Sequence, residues 1–175
     1  MEKGYIQVYT GPGKGKTTAA LGQALRAVGH DMEVCIVYFY KMPEKWDYKG
    51  FSLLENLGVE IHGFAKKHPD FFESIGGGKA RKETLRGLEM IEKIFDEKSF
   101  DMIILDEVII AVRDGYIEEK ELLGLLDKKP EETELVLTGR GATESLKQRA
   151  DLVSDIRETK HHFNKGVERR KGIEY

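Results

Sequence analysis

The sequence predicts an α/β fold in which a mainly parallel sheet carries helices on both faces. Apolar segments rich in β-branched and aromatic residues alternate along the chain with segments of helical periodicity, which is typical of strand–helix–strand units. The apolar segments lack the polar alternation of strands with one wet face, so they predict strands that are buried on both faces. The 175 residues, without a long linker, predict a single domain over residues 1–175.

Each element is predicted from its own pattern. Helix 17–28 has apolar residues at spacings of three and four, and Gly29 is placed to end it. Helix 79–95 is amphipathic, with Leu85, Leu88, Ile91 and Phe95 on one face. The other predicted elements are strands at 5–9, 33–40, 59–62, 101–105, 134–138 and 152–156, helices at 118–126 and 143–149, and loops at 42–50 and 64–78, the second made mobile by the glycine triplet 76–78.

Composition and charge exclude several classes of protein. The net charge of −3 gives no global reason to expect nucleic-acid binding. The N-terminal segment MEKGYIQVY is not a secretory signal, and no apolar run approaches the ~18 residues that a membrane span needs. The single cysteine, Cys35, cannot form an internal disulfide and reads as a buried core thiol. We therefore expect a cytoplasmic protein without a membrane partner.

The segment VYTGPGKGKTTAA, residues 8–20, predicts a phosphate-binding loop. It matches the pattern G-x-x-x-x-G-K-[ST] with Lys16 and Thr17 as the last two residues, except that Thr10 replaces the first glycine. A strand followed by glycines and a helix directs backbone N–H groups at phosphates, Lys16 adds positive charge, and the Thr17 hydroxyl can bind Mg²⁺. The alternative, a glycine turn with solvated lysines, is disfavoured by this position. The predicted cofactor-binding residues of the loop are Gly11, Pro12, Gly13, Lys14, Gly15, Lys16, Thr17 and Thr18.

Two further motifs also follow predicted strands directly. Asp106 and Glu107 end the apolar run IILDE and predict, with Thr17, the ligands of Mg²⁺. Glu107 could instead position a water molecule in a hydrolase, and the pair could simply cap the next segment. Arg140 in LTGRG is placed to bind phosphate oxygens or, alternatively, to lie exposed in a turn. Ligands bind at the carboxyl ends of parallel strands, so the three motifs should converge. They predict the P-loop NTPase (RecA-like) type of α/β fold.

The C-terminal tail, residues 160–175, is basic and contains the adjacent histidines His161 and His162. Neighbouring side chains on regular structure point apart, so this is poor spacing for a metal site. The tail reads either as a solvated segment or as a flap over an anionic ligand.

Together these motifs resemble the ATP:corrinoid adenosyltransferases of the phosphate-loop type. The matching segments are GPGKGKTTAA (11–20), ILDE (104–107), LTGRGA (137–142) and ADLVSDIRETKHHFNKGVERRKGIEY (150–175). The family's loop reads G-x-G-K-G-K-T-T, so the missing first glycine is expected there. The resemblance implies that ATP and a reduced corrinoid are substrates, with Mg²⁺ as cofactor, triphosphate as product, a flavoprotein as reductant and a homodimer as the assembly. It also implies that the catalytic residues are Lys16, Thr17, Glu107 and Arg140.

One segment departs from the family. A Gly-Phe-Thr-Trp segment usually lies against the corrinoid there, whereas this chain has GFAK at 63–66. Phe64 is therefore carried over as a corrinoid contact, with a core aromatic as the alternative. Trp46 lies too early to align, and Phe71 or Phe72 could substitute for the missing tryptophan. The competing functions are an ATP hydrolase or kinase on the same fold, and a non-catalytic module that binds ATP or corrinoid.

Overall fold

The computed structural model describes residues 2–43, 48–66, 77–97 and 100–174. Six strands form one sheet in the order β3-β2-β4-β5-β1-β6, and every neighbouring pair is parallel. The strands are β1 Ile6–Thr10, β2 Val34–Phe39, β3 Glu60–Phe64, β4 Met102–Asp106, β5 Glu134–Thr138 and β6 Leu152–Asp155. The predicted parallel α/β class is confirmed, and the arrangement is consistent with the P-loop NTPase type.

Helices cover both faces of the sheet, as predicted. The bounds are α1 Lys16–Val28, α2 Lys49–Asn56, α3 Gly77–Glu97, α4 Val108–Arg113, α5 Glu119–Leu126 and α6 Glu144–Arg149, followed by a 3₁₀ helix at His162–Lys165. Alternate strand residues enter two separate apolar clusters. One cluster packs against α1 and α2, and the other packs against α3, α4, α5 and α6.

Helix α3 contributes Leu88, Ile91 and Ile94 to its cluster, with Leu85 and Phe95 partly buried against it. Fully burying one such side chain stabilises the fold by roughly 1.5–3 kcal/mol. Cys35 is buried in the same cluster, in agreement with the prediction. Among the described residues, no helix is long and apolar enough to cross a membrane.

Helices α2 and α4 were not predicted from the sequence. The segment VIIAVR of α4 is short and apolar up to its last residue, so its pattern does not distinguish a helix from a strand. Part of each expected loop is also helical, because residues 49–50 begin α2 and Gly77 and Gly78 begin α3. The interpretation of those two glycines as part of a mobile loop is therefore wrong. Trp46, Phe71, Phe72, Gly76 and Tyr175 lie outside the described residues.

Candidate active site

The sheet order brings the three predicted motifs together. Strand β5 lies between β1 and β4, with Leu137 in register with both Val8 and Leu105. The loop after β1, the acidic pair at the end of β4 and the arginine turn after β5 therefore lie at the same carboxyl edge. Such an edge is where parallel α/β sheets bind ligands.

The loop encloses the ammonium group of Lys16. Lys16 is only 7% exposed, and its Nζ donates to the backbone oxygens of Gly11 at 2.8 Å and Gly13 at 2.7 Å. Burial lowers the pKa of Lys16, while the charge of Glu107 opposes that shift. A buried ammonium group has lost its contact with water, so it binds an anionic phosphate group strongly.

Thr10, the residue that breaks the loop pattern, links the loop to the arginine turn. It ends β1, is 4% exposed, and its Oγ1 accepts a hydrogen bond from the backbone N–H of Ala142 at 3.2 Å. Thr10 is not among the residues with positive φ, so the backbone does not require glycine there. The hydroxyl holds residues 139–142 near the phosphate loop, a contact that glycine could not make.

The end of β6 closes the loop from its outer side. The N–H of Gly13 donates to the backbone oxygen of Ile156 at 2.7 Å. A Cβ atom on Gly13 would lie 2.7 Å from the backbone oxygens of both Ile156 and Arg157. Only glycine allows this approach, so the loop's shape depends on the segment that follows β6.

Asp106 is the centre of a buried polar network. It is fully buried, and its Oδ1 accepts hydrogen bonds from the hydroxyls of Thr17 at 2.9 Å and Thr138 at 2.7 Å. The Thr138 hydroxyl also accepts from the backbone N–H of Glu107 at 2.9 Å. Thr138 was not predicted, although its place at the end of β5, beside Gly139, was a usable signal.

Glu107 adopts a left-handed backbone with φ of +65°, which non-glycine residues adopt mainly at functional or strained positions. Burial raises the pKa of Glu107, against the opposing charge of Lys41. The carboxyl group is thus held at the edge of the site, next to the Asp106 network.

Lys41 also lies in this site, and it was not predicted from the sequence. Its Nζ donates to Thr17 Oγ1 at 2.8 Å and to Asp106 Oδ2, and it lies 3.8 Å from Glu107 Oε1. Burial alone would lower the pKa of Lys41, but the charges of Asp106 and Glu107 outweigh it and raise that pKa. The sequence places it two residues after β2, but only the sheet order shows that β2 lies beside β4.

The residues predicted to hold Mg²⁺ fit a divalent cation. Thr17, Asp106 and Glu107 supply hydroxyl and carboxylate oxygens, the donors that Mg²⁺ prefers, and these oxygens already surround a positive group, the Lys41 ammonium. Within residues 2–43, 48–66, 77–97 and 100–174, no group of three or more His, Cys, Asp or Glu side chains could hold a metal by itself. A cation here would complete its coordination with water or with a bound ligand.

The remaining predicted residues are placed differently. Arg140 is exposed. Burial lowers the pKa of Lys16 and raises the pKa of Glu107; the charge of Arg140 adds to the first shift and opposes the second. Phe64 ends β3 but packs on the α3 face of the sheet, with its ring 6.3 Å from that of Phe39. The structure thus joins Arg140 electrostatically to the loop, whereas the Phe64 ring lies on the face opposite α1.

The C-terminal tail returns to the phosphate loop. Glu174 accepts a hydrogen bond from Lys14 Nζ at 3.0 Å and is also bound by Arg170. His161 and His162 were expected to point apart, but their rings stack with centroids 4.7 Å apart, because the 3₁₀ helix begins at His162 and the backbone is not regular there. The tail therefore lies beside the loop.

Comparison with known proteins identifies the family. The family model described as ATP:corrinoid adenosyltransferase BtuR/CobO/CobP matches residues 2–175. The chain is 36% identical over 175 residues to the corrinoid adenosyltransferase of Escherichia coli (strain K12), covering 99% of this chain and 87% of that protein. It is 35% identical over 174 residues to corrinoid adenosyltransferase CobA of Salmonella typhimurium, with coverage of 99% and 87%. It is 30% identical over 178 residues to the Pseudomonas aeruginosa corrinoid adenosyltransferase, with coverage of 99% and 85%. The chain belongs to the ATP:corrinoid adenosyltransferase family.

Proposed function

We propose that this protein transfers the 5′-deoxyadenosyl group of ATP to the cobalt of a reduced corrinoid and releases triphosphate. The observation that carries the proposal is the convergence of Lys16, Thr17, Asp106 and Glu107 at one sheet edge, in a chain that belongs to the family. A buried lysine within a glycine loop suits a highly charged phosphate chain. The curated relatives named above carry the name corrinoid adenosyltransferase.

The reaction balances without a proton. The electron pair of cobalt(I) attacks C5′ of the ribose and forms the cobalt–carbon bond, while the bond from C5′ to the triphosphate oxygen breaks. That oxygen leaves with the bonding electron pair. Because the nucleophile has no proton to lose, no general base is needed, and Glu107 is assigned to the metal rather than to a water molecule. The protein must align C5′ with cobalt and stabilise charge on the leaving oxygens.

The phosphate loop supplies that stabilisation. Lys16 is buried among loop carbonyls, so a bound phosphate would gain a cation in a site of low dielectric, where charge interactions are strong. Arg140, whose charge already reaches Lys16, is proposed to bind the same phosphate chain from the exposed side. Thr17, Asp106 and Glu107 would hold Mg²⁺, and the bound ion would neutralise charge on the phosphate oxygens.

Phe64 is proposed to contact the corrinoid from the end of β3. Its ring is only partly buried, so one side remains free to meet a ligand at the carboxyl edge of the sheet. Replacement of Phe64 by alanine should raise KM for the corrinoid and leave KM for ATP unchanged. Equal effects on both substrates would indicate a core role instead.

The family resemblance also supports a homodimer in the cytoplasm, with a flavoprotein as the reductant of its corrinoid. Light scattering at several protein concentrations tests the homodimer, and a monomer at all concentrations would contradict it. Replacement of the chemical reductant by a flavodoxin in the transfer assay tests the reductant.

Product analysis tests the proposed reaction. The protein is incubated anaerobically with ATP, Mg²⁺ and chemically reduced cobalamin or cobinamide. The proposal predicts adenosylated corrinoid and triphosphate in equal amounts. ADP and phosphate with unchanged corrinoid would support the hydrolase or kinase, and bound ATP without turnover would support the non-catalytic module.

A further inference from the structure

The Lys41 ammonium occupies the position that the proposed function assigns to a metal ion. Its Nζ donates to Thr17 Oγ1 at 2.8 Å and to Asp106 Oδ2, and Glu107 Oε1 lies 3.8 Å away. The Lys41 side chain is only 12% exposed. The oxygen atoms around this ammonium are therefore the ones that Mg²⁺ would need.

The backbone before Lys41 is built to hold it there. Tyr40 has φ of +56°, a left-handed conformation that a bulky residue rarely adopts. Its hydroxyl is 2.6 Å from Thr84 Oγ1 on α3, and its ring lies 5.6 Å from the ring of Tyr116. These contacts fix the chain direction at the end of β2, so the placement of Lys41 is a property of the fold and not of a loose surface side chain.

We propose that Lys41 is a positioning residue that acts as a resident counter-ion at the metal position. It keeps Thr17, Asp106 and Glu107 together while the enzyme is free of nucleotide, and it keeps free divalent cations out. Mg²⁺ therefore enters together with the nucleotide's phosphates. The identity of the metal position rests on the proposed function, whereas the placement of Lys41 does not.

Charge explains the coupling. An ammonium and a divalent cation cannot both lie within hydrogen-bonding distance of Asp106 without strong repulsion in a buried site. Mg²⁺ that arrives without a nucleotide must therefore displace the ammonium from Asp106, and it gains only the few oxygen ligands of the protein. A triphosphate brings several negative charges, which compensate both the metal and the displaced lysine. Metal and nucleotide should consequently bind with positive cooperativity.

Binding of Mn²⁺ to the nucleotide-free protein, measured by electron paramagnetic resonance, tests the proposal. Lys41→Met should bind Mn²⁺ about tenfold or more tightly than the wild type, because it removes a like charge from the site. Lys93→Met, which removes an exposed lysine of α3, should bind as the wild type does. Adding Asp106→Asn to Lys41→Met should abolish the gain. When inorganic triphosphate is added, the Mn²⁺ affinities of the wild type and Lys41→Met should become more similar.

Equal or weaker Mn²⁺ binding by folded Lys41→Met would overturn the proposal, since a merely structural role for Lys41 predicts that outcome. Thermal denaturation establishes whether each variant is folded. If Lys41→Met does not fold, Lys41→Gln decides, because it keeps a hydrogen-bond donor and removes the charge. No ATP or corrinoid is present, so failure of the adenosyl-transfer assay and failure of this proposal are separate results.

Discussion

At the scale of the single residue, the site depends on charges and hydroxyls that are buried with specific partners. Lys16 donates to the carbonyl groups of its own loop, and Asp106 accepts hydrogen bonds from the neighbouring motifs. Buried polar groups are expensive to leave unpaired, so each partner contributes to stability as well as to chemistry. Substitutions at these positions can therefore separate the two contributions.

Lys16→Ala should abolish adenosyl transfer without unfolding the protein. We expect a loss of about 10²–10³-fold or more in kcat, because the charge that stabilises the leaving phosphates is removed. Stability should change by no more than about 1 kcal/mol, since two hydrogen bonds are lost while the cost of burying a charge disappears. Steady-state kinetics and urea denaturation measure the two effects, with Lys93→Ala as the control. Full activity in Lys16→Ala would remove the loop from the mechanism.

Thr138→Val tests the network beneath the metal position. It removes a buried donor to Asp106 and a partly buried acceptor for the Glu107 N–H. We expect a destabilisation of roughly 1–3 kcal/mol, because polar groups are left unsatisfied. Thr138→Ser keeps the hydroxyl and serves as the matched control. Urea denaturation showing equal stability for the valine and serine variants would mean that the network contributes little.

At the scale of the element, glycines set how closely helices approach the sheet. Gly87 lies in α3, and a Cβ there would be 2.6 Å from a ring carbon of Phe39. Gly124 lies in α5, where a Cβ would have nothing within 4 Å. The two positions share a helical backbone and differ in their surroundings, so they separate helix propensity from packing.

Gly87→Ala should destabilise the protein by roughly 1–3 kcal/mol through overpacking. Gly124→Ala should stabilise it by about 0.5–1 kcal/mol, because alanine is the better helix former and nothing is in its way. Differential scanning calorimetry on both variants shows whether the two changes in the free energy of unfolding have opposite signs. Stabilisation by both substitutions would show that the Phe39 ring can move aside and that Gly87 does not set the distance between α3 and the sheet.

Elements with a clear period were predictable, and their assembly was less so. The helix 79–95 follows from its apolar spacing, and the strands around Cys35 and Ile104 follow from continuous apolar runs rich in β-branched residues. Lys41 could not be assigned, because only the sheet order places the end of β2 beside β4. Thr10 was interpreted as a mere exception to the loop pattern, since its bond to Ala142 joins segments 132 positions apart in the sequence. Contacts between distant segments leave no local signal.

At the scale of the whole molecule, the two ends of the chain meet at the site. Lys14 in the first loop pairs with Glu174 in the tail, and Gly13 is hydrogen-bonded to Ile156 beyond β6. These contacts argue against a free tail, and a flap over an anionic ligand stays a prediction. The arrangement couples the phosphate loop to the C-terminal segment.

Acidification should release the tail from the loop. The side-chain hydrogen bond from Arg170, the backbone N–H of Arg170 and Lys14 hold the pKa of Glu174 well below its ordinary value of 4.5. A carboxyl group with a lowered pKa stabilises the docked tail above that ordinary value, and the effect is lost as the pH falls through the lowered pKa. The NMR carboxyl shift of Glu174 should therefore titrate with a midpoint below 4.5. A midpoint at or above that value would contradict the contacts of Glu174 with Arg170 and Lys14.

Glu174→Gln should reproduce the acid form at neutral pH. The backbone amide of Arg170 donates to Glu174 Oε2 at 2.8 Å, so its NMR signal should shift in the variant toward its position in acid. Glu132→Gln, at an exposed position before β5, should leave the signal unchanged.

The central claim is that the loop holds triphosphate as the leaving group while the adenosyl carbon moves to cobalt. The most direct test uses ATP labelled with ¹⁸O at the oxygen between C5′ and the α-phosphorus, incubated anaerobically with Mg²⁺ and reduced corrinoid. Mass spectrometry of the products then reports which bond broke. We expect the label in the released triphosphate and none in the adenosylated corrinoid. Label retained in ADP or AMP, with unmodified corrinoid, would contradict it.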